Sequence, residues 1–424
     1  MPGATTRLSI ATPRSATPAT SRSTCPPTHR AISPAVIRVP DTLRAFHRLA
    51  RAIRDRWSPR VVGVTGSVGK TSTKELAAAV AAQAFRTEKS PENWNTEIGI
   101  PLVLANLPDD REVVVLEMAM RGPGQIRELV EIAGPEIGVV TNVGESHLDF
   151  FPNREALAAA KGELIEGLPE RGCAILNAED PLAWGLRHRA RARILSFGLG
   201  RGDVRAEDIR PLAARGSTFR LVGPVGAAPV TLRLPGGHAV QNALAAAAVG
   251  VAFGIDAAAI AAGLGQVAPL PMRLETIEFR GGTVLSDVYN ASPQSVVAAL
   301  DAMDEIEGGF RVAVLGDMRE LGTHTVEAHR RVGREIARRR IDLLVAFGPL
   351  AAELAAAARE AAGTRRFRVV HTEAVEEVVD LLRRALVPGS VVLLKGSRAM
   401  AMERIAAALL RPERTEASAG GGIV

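Results

Sequence analysis

At 424 residues, 47% hydrophobic and 23% charged, the chain has the length for two or three domains with real cores and the composition of a globular protein. Its formal charge of +6 is misleading: residues 1–60 hold eleven arginines against two aspartates, a local +9 that leaves −3 for the rest, and aromatics at 4% are too scarce for base stacking, so nucleic-acid binding is excluded. Two cysteines, Cys25 and Cys173, can build neither a disulfide framework nor a cysteine metal centre.

Residues 1–36 are rich in Ser, Thr, Pro, Ala and Arg, contain no acid and show no apolar periodicity, which predicts disorder. An Arg- and Ser-rich, acid-poor start also describes an organellar transit peptide. The rival reading is a spurious start, translated out of frame from a GC-rich gene. Residues 37–57 carry Leu43, Phe46, Leu49, Ala50 and Ile53 at helical spacing behind Asp41 and Thr42, a short amphipathic helix with an N-cap.

At 61–71 an apolar β-branched run enters a Gly-rich turn, Thr65-Gly66-Ser67-Val68-Gly69-Lys70-Thr71-Ser72, and a helix-forming run follows over 74–84. A strand, a glycine loop and a helix N-terminus make a polyphosphate site: backbone N–H groups and the helix dipole favour the anion. Lys70 would reach the β- and γ-phosphates and the Thr71 hydroxyl would ligate Mg²⁺. The standard pattern places a glycine where Val64 stands, so the match is to the shorter Gly66-x-x-Gly69-Lys70-Thr71 form. The plainer alternative is a strand–turn–helix corner that happens to carry glycine and lysine.

From here strands and helices alternate, with strands over 112–117, 137–143 and 173–176 and a helix over 154–167, the rhythm of a parallel sheet covered by helices. Strand-end acids in such a sheet point into the crevice at its carboxyl edge. Glu117, beside the glycine-loop strand, would there complete a Mg²⁺ shell with Thr71; otherwise it is a solvated acid. His147 follows the next strand and reaches the same edge, although a lone histidine is more often structural. Lys161 on an Ala-rich helix reads on its own as a solvated face. Asn93, Asn95 and Thr96 form a polar loop that could simply cap a helix. Residues 205–234 break the rhythm with short β-like segments, a small side sheet. The Ala- and Gly-rich stretch 243–265 is interrupted at Gly254 and Asp256 and reads as two buried helices rather than a membrane span.

A second α/β unit follows, with strands over 283–288, 311–315, 343–347, 368–370 and 390–394 and no second phosphate loop. Three polar motifs fall at its strand ends: Asp287 to Pro293 with Asn290, Asp317 after Gly316, and Lys395-Gly396-Ser397-Arg398. Together they predict a ligand-facing edge. The tail beyond Arg411 reads as loose.

Ordered along one chain, these motifs resemble the Mur ligases, the ATP-dependent amide-forming family of peptidoglycan precursor synthesis. The carriers are the 65–71 loop, the 93–102 segment, Glu117-Met118-Ala119-Met120, Thr141-Asn142-Val143 with His147-Leu148, Ala160-Lys161-Gly162-Glu163, 238–242, 287–293, the 316–322 block and Lys395-Gly396-Ser397. The Asn93-Trp94-Asn95 and Asp317-Met318-x-Glu320-Leu321-Gly322 blocks point to the branch that joins D-alanyl-D-alanine to UDP-N-acetylmuramoyl-tripeptide. Thr96 and Ser292 stand where the family usually has asparagine. The resemblance implies a central ATP-binding domain over 58–270 and a Rossmann-like α/β domain over 271–411. Residues 37–57 then read as a linker helix left from a UDP-binding domain, 412–424 as a disordered tail, and 1–36, which look nothing like that domain, as the product of a truncated or frame-shifted gene start. It also implies ATP and two Mg²⁺ ions, a carbamylated Lys161 with His147 on the second ion, Asn242 and Asn290 around the adenine, Arg273 and Asp317 closing over phosphates and ribose, and Asn93, Asn95, Thr96 and Lys395 toward substrate. It implies a cytoplasmic monomer with no membrane insertion. A Mur-like ligase for another carboxylate, or a nucleotide-binding protein without ligase activity, remain open at this point.

Overall fold

The computed structural model describes residues 37–145, 148–364 and 367–411. The expectations for 1–36, 412–424 and His147 lie outside the described residues.

The helix Thr42–Trp57 begins at Asp41, whose carboxylate accepts the Arg44 amide hydrogen at 2.9 Å, and buries His47 and Ala50. The chain then enters a nine-stranded sheet. Its strands are β1 (Arg60–Thr65), β2 (Thr87–Lys89), β3 (Val113–Glu117), β4 (Ile137–Val140), β5 (Cys173–Asn177), β6 (Arg193–Gly198), β7 (Val204–Pro211), β8 (Ser217–Gly223) and β9 (Gly226–Leu232). The spatial order is β2-β3-β1-β4-β5-β6-β7-β8-β9, parallel as far as β7 and antiparallel beyond it. The side sheet is thus continuous with the main one, but only through Phe197↔Val204 and Gly198↔Arg205. β1 lies between β3 and β4, so Val64 sits beside Glu117 and Thr65 beside Val140. Both faces of these strands are buried, as a sheet covered by helices requires.

Behind the sheet pack the helices Lys70–Ala81, Gly237–Phe253 and Ala257–Gln266. The last two are separated at Gly254, which caps the first in the left-handed conformation at φ +76°. Their small residues let backbones approach closely: a Cβ on Gly263 would lie 2.8 Å from both the Ala79 oxygen and the Val80 Cα. Among the described residues no helix is long and apolar enough to cross a membrane.

The second unit is a six-stranded sheet, β10 (Glu275–Phe279), β11 (Gly282–Asp287), β12 (Arg311–Gly316), β13 (Leu343–Phe347), β14 (Arg368–Thr372) and β15 (Val391–Lys395), in the order β10-β11-β15-β12-β13-β14. Only β10 runs antiparallel. Asp287 and Leu315 flank Lys395 at the carboxyl edge. The helix Pro293–Asp304 starts with a capping box between Ser292 and Ser295. Its C-terminal end is satisfied from within the fold: the buried Arg311 guanidinium donates to Met303 O in the last turn at 2.8 Å and to Ile306 O just past the helix at 2.6 Å.

Arg311→Met is expected to destabilise the second unit by about 2–4 kcal/mol, because two buried carbonyls lose a charged donor. Urea unfolding followed by a probe in that unit reads the shift; a midpoint equal to the parent's would show that the carbonyls find other partners.

Candidate active site

The carboxyl edges of β1 and β3 and of β11 and β15 face one cleft of about 750 Å³. The glycine loop leaves β1 and enters the helix Lys70–Ala81, which starts at Lys70 rather than in the 74–84 run, so Lys70 and Thr71 stand in its first turn. Gly69 has φ +85°, and a Cβ there would lie 2.2 Å from Asn242 Oδ1. Gly66 has φ +151°, and a Cβ there would lie 1.9 Å from Thr141 Oγ1. The loop is strapped from β4's end. Asn142 accepts the Val68 amide hydrogen at 3.0 Å and donates to Val68 O at 2.9 Å, the Thr141 hydroxyl donates to the same oxygen at 2.7 Å, and Ser67 N donates to Asn142 O at 3.0 Å. Sequence reasoning gave Asn142 no role; the signal was a polar pair directly after a buried apolar strand.

Glu117 is 4% exposed. One of its oxygens accepts the Thr71 hydroxyl at 2.7 Å and the other the Asn95 amide at 2.8 Å. No ion pair engages it among the described residues. A buried carboxylate held by neutral donors beside a hydroxyl is a hard-oxygen set that fits Mg²⁺. Thr71 Oγ1 also accepts from Arg273 Nη2 at 3.0 Å, and the Arg273 guanidinium lies 4.0 Å from the Tyr289 ring centroid. This contact joins the two units, and Arg121–Glu320 at 3.2 Å and Arg331–Glu145 do the same at the rim.

The Lys70 ammonium donates to Gly66 O at 2.9 Å and Ser67 O at 3.3 Å. Burial and the Arg273 charge push its pKa down, against the pull of Glu117. Lys161, on the helix Arg154–Glu166, is 2% exposed. Burial, and then the neighbouring Lys70 charge, hold its pKa well below the usual lysine range. No hydrogen bond or ion pair engages its amine among the described residues. The solvated-face reading of Lys161 therefore does not hold.

On the opposite wall the Lys395 ammonium, 2% exposed, donates to Asp287 Oδ2 at 2.5 Å and Asn290 O at 2.9 Å. Residues 67–72, Asn93, Asn95, Thr96, Glu117, Asn242, Arg273, Asn290 and Lys395 all line the cleft. Thr65, Gly66, Lys161 and Asp317 do not. Asp317 is fully buried; its carboxylate accepts from Ala351 N at 2.9 Å and Arg319 Nη2 at 3.0 Å, so it holds Arg319 and the start of the helix Ala351–Ala362 rather than presenting itself to the cleft.

The Mur ligase middle domain family matches residues 64–250, and the family described as Mur ligase, glutamate ligase domain, matches 272–398. A UDP-N-acetylmuramoyl-tripeptide–D-alanyl-D-alanine ligase of Bacillus subtilis (strain 168) is 37% identical over 376 residues, which is 88% of this chain and 80% of that one. The chain belongs to the Mur ligase family. This Mur ligase is also similar to the crystal structure of MurF from Acinetobacter baumannii, with a TM-score of 0.81 at 32% identity over 90% of this chain and 83% of that one. The MurF ligase from Thermotoga maritima, solved in complex with ADP, gives a TM-score of 0.79 at 29% identity over 90% and 86%.

Gly69→Ala should weaken nucleotide binding at least tenfold while leaving the circular dichroism spectrum unchanged, since the left-handed backbone costs about 1–2 kcal/mol for alanine before the Asn242 clash is counted. Titration with ADP measures it; parent-like affinity would show that the loop tolerates a side chain there.

Proposed function

We propose that this Mur ligase joins D-alanyl-D-alanine to UDP-N-acetylmuramoyl-tripeptide at the expense of ATP. The observation that carries the reading is a strapped phosphate loop facing the edge of a second α/β unit across one cleft. Family membership and the activity named for its relatives support it. Residues 58–270 would then be the nucleotide domain and 271–411 the domain that closes on it.

The loop N–H groups and the Lys70 ammonium receive the β- and γ-phosphates, with Asn242 and Asn290 at the adenine end. Thr71 and Glu117 would hold Mg²⁺, which supplies neutralisation of the phosphate oxygens when bound. The tripeptide carboxylate attacks the γ-phosphorus in line, the bond to the ADP oxygen breaks, and an acyl phosphate forms. The dipeptide amine then attacks the acyl carbon, loses a proton, and inorganic phosphate leaves. Arg273 bears on the phosphates from the second unit. Its stacking on Tyr289 keeps the guanidinium plane fixed while the Thr71 contact is exchanged for a phosphate oxygen. Closure excludes water that would hydrolyse the acyl phosphate.

Lys161 has the properties a carbamate needs. Burial and the Lys70 charge lower its pKa and so favour the free amine, and the amine nitrogen adds to CO₂ with loss of one proton to give a carbamate anion. That anion, with His147, would hold a second Mg²⁺.

Lys70→Ala is expected to abolish phosphate release in the presence of both UDP-N-acetylmuramoyl-tripeptide and D-alanyl-D-alanine, and release from the parent should require both. Release that ignores either substrate would overturn the assignment. Lys161→Ala should lose turnover and regain part of it with short carboxylates, and ¹³C-bicarbonate should give the parent a carbamate carbonyl resonance that the variant lacks. Full activity in Lys161→Ala would sink the carbamate.

A further inference from the structure

Lys74 is buried, yet nothing in the proposed chemistry uses it. It lies one turn beyond Thr71 on the helix Lys70–Ala81, with a side chain of 0% exposure. A buried ammonium is costly, and an apolar side chain would fill the same space at lower free energy if packing were all that mattered. Its ammonium donates to Ser90 O at 2.7 Å and Glu92 O at 3.3 Å and forms an ion pair with Glu75 Oε1 at 3.2 Å. The other Glu75 oxygen is taken by Lys89.

Two of those acceptors belong to the segment that shapes the surroundings of Glu117. The Ser90 hydroxyl oxygen accepts the Glu117 amide hydrogen at 3.1 Å, and Ser90 N donates to Val115 O at 2.9 Å. Glu92 is held at φ +38°, a left-handed conformation that a non-glycine residue keeps only when its surroundings impose it. Directly after it the chain turns, Trp94 N donating to Pro91 O at 3.0 Å, and delivers Asn95. Asn95 then donates its side-chain amide to Glu117 Oε1 and accepts the Ala119 amide hydrogen on its backbone oxygen at 3.0 Å. Thr71, on the same helix as Lys74, holds the other Glu117 oxygen.

We propose that Lys74 is a positioning residue for the divalent-cation site: its ammonium ties the phosphate helix, one turn beyond Thr71, to the 90–95 segment and so fixes the Glu117 carboxylate between Thr71 and Asn95. Lys74 touches neither the carboxylate nor the cleft, so it acts through Ser90 and Asn95. The inference rests on the reading of Glu117 as a cation ligand.

Mn²⁺ binding to the full chain in the presence of ADP, read by electron paramagnetic resonance, tests it. Lys74→Met should weaken Mn²⁺ binding by about tenfold or more, the range found when a partner of a metal ligand is removed. In turnover the Mg²⁺ half-saturation should rise by a similar factor, while KM for D-alanyl-D-alanine stays at the parent value. Ser90→Ala, which removes only the acceptor for the Glu117 amide, should shift Mn²⁺ binding in the same direction by less. The double variant should be no weaker than Lys74→Met alone, because both act on one path. Parent-like Mn²⁺ affinity in a folded Lys74→Met, with only the unfolding midpoint lowered, would overturn the proposal. If Lys74→Met does not fold, Ser90→Ala decides: unchanged Mn²⁺ affinity there overturns it as well. Glu117→Gln separates the two readings. Loss of Mn²⁺ binding in Glu117→Gln with none in the other variants defeats the role of Lys74 alone, whereas parent-like binding in Glu117→Gln defeats the metal reading on which it rests.

Discussion

A carboxylate buried at the end of β3, with only neutral donors on its two oxygens among the described residues, governs the chemistry available to the cleft. Taking Glu117 out of water costs several kcal/mol, and hydrogen bonds from a hydroxyl and an amide recover part of that. The nearest cations are directed elsewhere: Lys70 donates to carbonyls of its own loop, and Arg273 donates to Thr71. The result is a negative site whose remaining electrostatic need is a cation that can bind oxygen on several sides at once. A divalent ion arriving with a polyphosphate would answer it, and the polyphosphate would in turn answer the positive loop.

Charges are divided between the two units in a way that suits a reaction with a water-sensitive intermediate. Loop, acid and lysines stand on the first; Arg273, Asn290 and Lys395 stand on the second. The contacts that join the units at the rim are half-exposed ion pairs, each worth little in water. Such a boundary can open and close at small cost, which substrate entry and product release require. Within each unit the functional groups are fixed rigidly, as by Asn142 across the glycine loop and Asp287 on Lys395.

Local sequence carried the strand–loop–helix corner, the strand-end acid Glu117 and the alternating order of both units, because each depends on residues a few positions apart. Three strands escaped it. β2 is a polar three-residue edge, β6 begins with exposed residues, and β10 is an antiparallel edge without a buried face. Lys161 could not be recognised from spacing, since an Ala-rich helix has almost no amphipathic contrast to say which face is inside; only the family resemblance raised it. Asp317 showed the converse. A strand-end aspartate was legible, but its pairing with Ala351, thirty-four residues on, turned it inward. The straps from Thr141 and Asn142 to Val68 span more than seventy residues, so the polar pair after the strand was visible locally but its partner was not.

The place of β15 in the second sheet bears on the order in which the protein forms. β15 is the last strand, yet it is inserted between β11 and β12, and its terminal lysine neutralises an aspartate 108 positions earlier. The β10–β11 pair therefore cannot join the rest of that sheet until nearly the whole chain has been made. The nucleotide unit has no such requirement, and its sheet closes on residues already synthesised. On a ribosome delivering residues from the N-terminus, the phosphate loop can be folded while the second unit is still an open, unpaired edge. ATP binding would then stabilise the half-made protein during the interval in which it is most exposed to aggregation.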